Sequence, residues 1–168
     1  RQPVYRLLGL EWENIPLTDY TLGMAEPQQI QERIKAHPFP VYKMKMGSAK
    51  DLEAVKAARQ VSNAPIRLDA NEAWTQALRT LTKIPLIADE ACQGAKDLEQ
   101  IAALYDGINV KLAKCSGLTP AFSLVKAARA QGLKIMLGCM SEGIVGCTAI
   151  AHLLPLADYA DIDGPLIL

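Results

Sequence analysis

The chain has 168 residues, half of them hydrophobic, with 18 basic and 18 acidic side chains. That is enough apolar material to bury one sizeable core. The balanced, scattered charge argues against nucleic acid or an anionic membrane as partner and points to a small or zwitterionic molecule.

In chain order, TDYTLGM (18–24) reads as a strand and PQQIQERIKAH as a helix. VYKMKMG (41–47) is a strand, and AKDLEAVKAARQV is a helix with Leu52, Val55, Ala58 and Val61 at helical spacing. IRLDAN then predicts a strand, TQALRTLTK a short helix, LIADEA a strand and KDLEQIAALY a helix. GINVKLAK predicts a strand, PAFSLVKAARAQG a helix ending on Gly132, and KIMLGCM a strand. SEGIVGCTAIAHLL closes the series as a helix and ADYADIDG as a strand.

Such alternation implies parallel strands joined by right-handed crossovers, in an open doubly wound sheet or a closed (β/α) barrel. No GxGxxG follows the first strand, which weakens the dinucleotide-binding version. Lys45, Asp69, Asp89, Lys111 and Asp163 instead recur near strand ends, which a barrel gathers around one mouth. The expected fold class is therefore α/β, a TIM-type barrel spanning residues 1–168. Seven strands are counted rather than eight, and a typical barrel needs about 250 residues, so the barrel is expected to be incomplete.

Lys43 and Lys45 are two apart on a strand and project from one face, while Met44 and Met46 suit the layer beneath the helices. Two neighbouring ammonium groups favour a neutral lysine, as a general base near neutral pH requires; the alternative is an edge strand with solvated lysines. Asp69 and Asp89 each end an apolar strand, where a carboxylate is costly unless paired or metal-bound. Hard oxygen ligands at successive strand ends suit Mg²⁺, although aspartate just past a strand also caps helices. Strand alternation places Lys111 and Lys114 on opposite faces, so only one can serve the site. A lysine there, across the barrel from Lys43 and Lys45, is what a racemase or epimerase needs. Asp161 and Asp163 share a face and could hold a cationic amine; for Asp163 the alternative is turn chemistry around Gly164 and Pro165.

His37 and His152 lie in or beside helices, away from strand ends, and read as structural or surface residues. Cys92, Cys115, Cys139 and Cys147 show no CxxC spacing, as expected of buried reduced thiols. No apolar run spans a bilayer and RQPVYRLLGLEWENIP lacks a signal-peptide core, so a cytoplasmic protein is expected.

The ordered set of KxK, LDANEAW, IADEA, NVKLAKCSG, GCMSE and DxDGP resembles the enolase superfamily, muconate-lactonizing-enzyme subgroup. Within it the dipeptide epimerases are most similar, and GCMSE with the DxD pair is nearest the L-Ala-D/L-Glu epimerase branch. The likeness runs from PVYRLLG to GPLIL. It implies Lys45 as base on one face with Lys43 as its neighbour, and Lys111 as base on the other. It also implies Asp69 and Asp89 as two of three Mg²⁺ ligands, with Asp161 and Asp163 binding the dipeptide's α-ammonium group. The implied reaction is a 1,1-proton transfer through an enolate, with a dipeptide as small-molecule partner; a homo-oligomer is allowed. This superfamily is known for Lys or His bases working with Mg²⁺.

The sequence also departs from that pattern. The third metal ligand, a glutamate between the LDAN and ADE strands, has no counterpart. The gap aligns near Gln76, around 76–77, where one βα unit is expected to be missing. The capping domain that precedes the barrel in the family has no counterpart either. Either the natural chain carries a βα unit that this sequence lacks, or the fold is genuinely shortened; unpaired strand edges favour the former. Other subgroup activities (o-succinylbenzoate synthase, N-acylamino-acid racemase, cycloisomerase) and a non-catalytic remnant are the alternatives.

Overall fold

The computed structural model describes residues 1–70 and 82–167, and these fall into two compact units. One comprises residues 19–75, the other residues 1–18 and 76–168.

The first unit is a three-stranded parallel sheet in the order β1 (Tyr20–Leu22), β2 (Tyr42–Lys45), β3 (Ile66–Asp69). Two crossover helices, α2 (Pro27–Ala36) and α3 (Asp51–Val61), connect the strands. Pro27 at the first turn and a reciprocal capping box between Glu26 and Gln29 start α2, satisfying amides that have no intrahelical partner. Ile30 and Ile34, four apart, bury one stripe against Leu22, Tyr42, Met44, Met46 and Ala58. Met44 and Met46 thus lie in the core beneath the helices, as the alternation in KMKMG predicts. Gln31 ties the two helices together, its Nε2 donating to the Ala57 carbonyl at 3.1 Å and to Gln60 Oε1 at 2.7 Å.

The second unit begins with a short helix, α1 (Val4–Leu7). Its four-stranded parallel sheet runs β4 (Ile87–Ala88), β5 (Gly107–Val110), β6 (Lys134–Gly138), β7 (Tyr159–Asp161). Its helices are α4 (Leu98–Leu104), α5 (Leu112–Cys115), α6 (Leu118–Ala130), α7 (Ile144–Ala151) and α8 (Gly164–Ile167). All four residues of β5 are buried, as in a central parallel strand covered on both faces. Ala121, Leu124, Val125 and Ala128, at positions i, i+3, i+4 and i+7 of α6, press onto this sheet. Thr18 makes an isolated parallel bridge to Ala160, and its Oγ1 accepts the Ile162 amide at 3.0 Å.

Two aspartates brace strand starts in the same way. Asp106, just before β5, accepts the Leu86 amide at 2.9 Å, and Asp158, just before β7, accepts the Ile135 amide at 2.7 Å. Each carboxylate satisfies an amide at the N-terminal end of the neighbouring strand.

Seven strands are present among the described residues, as the sequence predicts, and all pair in parallel. The helix expected over TQALRTLTK and the junction at 76–77 lie outside the described residues. One expectation needs correcting. GINVKLAK is not a single strand: β5 stops at Val110, and Leu112–Cys115 turn as a helix that ends on left-handed Ser116 (φ 66°).

Candidate active site

The first unit presents its charged groups at the ends of β2 and β3. In-register parallel pairing sets Lys43 beside Arg67 and Lys45 beside Asp69. The Lys45 ammonium donates to Asp69 Oδ2 at 2.6 Å, and Lys43 Nζ stands 4.0 Å from the same oxygen. The repulsion expected between the two lysines is therefore met by a carboxylate in reach of both. Arg67 Nη1 donates to Asp19 Oδ2 at 2.6 Å, and Asp19 is fully buried. A buried carboxylate of this kind needs such a partner. Neither Arg67 nor Asp19 stood out in the sequence, although Arg67-x-Asp69 has the same period of two as Lys43-x-Lys45.

In the second unit, three donors converge on Asp89, the residue after β4. Lys111 Nζ lies 2.7 Å from Oδ2, Lys114 donates to Oδ1 at 2.6 Å, and Asn109 Nδ2 donates to Oδ2 at 3.1 Å. Burial pushes the Asp89 carboxyl up. The hydrogen bonds from Lys111 and Lys114, with their charges, outweigh it and hold the group below the ordinary carboxylate range.

Lys111 and Lys114 do not point to opposite faces. Strand alternation ceases at Val110, and across one helical turn a spacing of three puts both lysines on one side. The Ser116-Gly117 pair, a helix stop, is the signal in the sequence that marks this turn.

Asp161 ends β7 and Asp163 follows it, and both are buried. The Asp161 carbonyl accepts the Cys139 amide at 3.0 Å, and the Asp163 carbonyl accepts the Leu166 amide at 2.7 Å. Nearby, Cys139 and Cys147 share a side-chain hydrogen bond, and burial pushes the Cys139 thiol up to about 12. The four cysteines are free thiols, three of them buried. His37 stacks on Tyr20 and His152 on Tyr5, both in structural settings.

A sequence model of the enolase C-terminal domain-like family matches residues 75–163, just over half of the chain. The chain belongs to this family. Among the relatives of this enolase-type chain is the L-Ala-D/L-amino acid epimerase of Maribacter sp., 36% identical over 199 aligned positions. That alignment takes in 99% of this chain and 59% of the relative. The chain is similar in structure to a dipeptide epimerase from Cytophaga hutchinsonii, solved with Mg and the dipeptide D-Ala-L-Val. The TM-score is 0.87 at 26% identity, covering 99% of this chain and 57% of that one. It is also similar to a dipeptide epimerase from Enterococcus faecalis solved with Mg and L-Leu-L-Tyr. Here the TM-score is 0.83 at 31% identity, covering 96% and 58%. The fold is thus a partial α/β fold of the enolase-superfamily type, spanning somewhat under three fifths of these relatives. The 199 aligned positions exceed the 168 residues of the chain, so at least 31 positions of the Maribacter enzyme have no counterpart here.

Proposed function

We propose that the protein is a dipeptide epimerase that transfers a proton at the α-carbon next to a carboxylate, acting on substrates of the L-Ala-D/L-Glu type. The observation that carries this reading is a pair of lysine–carboxylate sets at strand ends, Lys45 on Asp69 and Lys111 on Asp89, at 2.6 and 2.7 Å. The named epimerases among its relatives support it.

An epimerase needs one group to remove the α-proton and another to return a proton to the opposite face of the same carbon. The family resemblance assigns these two roles to Lys45 and Lys111, and Lys43 supports Lys45 by adding positive charge beside it. Asp161 and Asp163, buried carboxylates at and just past the end of the last strand, receive the α-ammonium group of the dipeptide.

The family resemblance assigns Asp69 and Asp89 as Mg²⁺ ligands; both are hard oxygen donors, and a cation would have to compete with the ammonium groups that Asp69 and Asp89 now hold. When bound, the ion would supply electrostatic stabilisation of the developing enolate. A third carboxylate ligand belongs to a βα unit that the intact natural protein would carry near Gln76. The aligned positions without counterpart are enough for one such unit.

The test is deuterium incorporation at the α-carbon of L-Ala-L-Glu in D₂O, followed by NMR. Exchange should require Mg²⁺ and fall by roughly 10²–10⁴-fold in Lys45→Ala and in Lys111→Ala. Asp161→Asn and Asp163→Asn should chiefly raise KM. Unchanged KM in both would favour an acyl-amino-acid racemase, whose substrate carries no free amine. Absence of exchange across a dipeptide panel would refute the proposal.

A further inference from the structure

The two lysines on Asp89 are held very differently. Lys114 Nζ donates to Asp89 Oδ1 at 2.6 Å, to the Asp89 carbonyl at 2.5 Å and to the Asn109 carbonyl at 2.8 Å. An ammonium group has three donors, and here all three are spent within one socket, with the side chain only 8% exposed. Two of the acceptors are backbone carbonyls, one just past β4 and one inside β5. Lys114 therefore ties the end of one strand to its neighbour while it orients the carboxylate. Lys111 reaches Asp89 through Oδ2 alone, an oxygen that Asn109 Nδ2 also supplies.

We propose that Lys114 is a positioning residue that fixes Asp89 for a divalent cation, while Lys111 is the releasable ammonium on the same carboxylate. This rests on the reading of Asp89 as a cation ligand. A bound cation would compete with Lys111 for its single contact to Asp89, and would so release the Lys111 ammonium for proton transfer. Lys114 keeps all three of its contacts and holds Oδ1 and the Asp89 backbone in place. The division follows from the helical turn of α5, which delivers Lys114 to the same carboxylate three residues after Lys111.

The sign of a mutational effect on cation binding separates this role from a simple charge effect. A lysine that acts only as a nearby positive charge repels a cation, so its removal tightens binding. A lysine that positions a ligand weakens binding when it is lost, by roughly 10–100-fold for partners of metal-ligating groups. The experiment measures Mn²⁺ affinity by electron paramagnetic resonance, without substrate, in the wild type, Lys111→Met and Lys114→Met. The expected result is opposite signs: binding unchanged or tighter for Lys111→Met, and at least about 10-fold weaker for Lys114→Met. Equal or tighter binding in Lys114→Met overturns the proposal.

Thermal unfolding of the metal-free proteins provides a second readout. Lys114→Met strands two backbone carbonyls, so its Tm should fall below that of Lys111→Met; equal Tm values would count against the assignment. Lys114→Gln, which keeps donors without charge, serves both readouts if Lys114→Met does not fold. The binding measurement uses the intact natural protein with its third carboxylate; a wild type that binds no Mn²⁺ there refutes Asp89 as a cation ligand, and the thermal comparison then decides whether Lys114 positions it.

Discussion

Asp89 concentrates more charge than any single apolar contact could offset, because two ammonium groups, each about nine-tenths buried, depend on it. Removing one partner of a buried ion pair strands the other, and here it strands two. Asp89→Ala should lower stability by about 3–5 kcal/mol, read from urea denaturation. Cys139 acts at the other end of the pH scale. Its thiol keeps its proton up to about 12 in the folded chain, whereas an unfolded cysteine loses it near 8.5. Between these values the unfolded chain binds fewer protons than the folded one, so stability falls as pH rises through that window. Urea midpoints from pH 8 to 10 should decline less steeply in Cys139→Ala than in the wild type. At this scale the sequence was legible where a side chain sits on regular backbone. Lys45 and Asp69 are adjacent because parallel register makes them so. Lys114 was misread because the period of two was carried one turn beyond the strand that justified it.

At the level of elements, β5 shows why the frame tolerates little. A Cβ on Gly107 would run into the Lys134 carbonyl and stand 2.8 Å from Ile87 Cδ1, so the two neighbouring strands close on it from both sides. Backbone of a paired strand cannot give way as a flexible side chain can. Gly107→Ala should cost roughly 1–3 kcal/mol, visible as a lower Tm. Apolar periodicity made most elements legible, since the α2 and α6 stripes and the buried β5 follow directly from it; in α3 Val55, Ala58 and Val61 pack inward as predicted, but Leu52 stands 66% exposed. It could not place the ends: TDYTLGM shrinks to three strand residues and LIADEA to two. Hydrogen-bond partners on neighbouring strands, rather than local preference, decide where pairing stops.

Over the whole molecule, the two units have cores of unequal size. Residues 19–75 bury a small cluster around Leu22, Ile30, Tyr42 and Met44, whereas the other unit packs α4, α6 and α7 onto a four-stranded sheet. Local opening costs less where fewer apolar groups are buried. Hydrogen exchange followed by mass spectrometry should therefore show β2 exchanging at a lower opening free energy than β5 and β6. Matching protection in all three strands would contradict this. The strand–helix alternation made the parallel sheets legible from sequence, but not the division into units, which depends on how many contacts each segment makes.

The braces formed by Asp106 and Asp158 lie at the starts of strands, and the lysines and carboxylates of the candidate site lie at the ends. This separation has an evolutionary consequence. On the proposed reading, replacements at Lys45 or Lys111 act on the reaction itself and leave in place the joints formed by Asp106 and Asp158. Replacements at Asp106, Gly107 or Asp158 spend stability and change no chemistry. On that reading a lineage can alter its reaction at the strand ends while inheriting the strand starts intact, and laboratory selection should accumulate changes along the same divide.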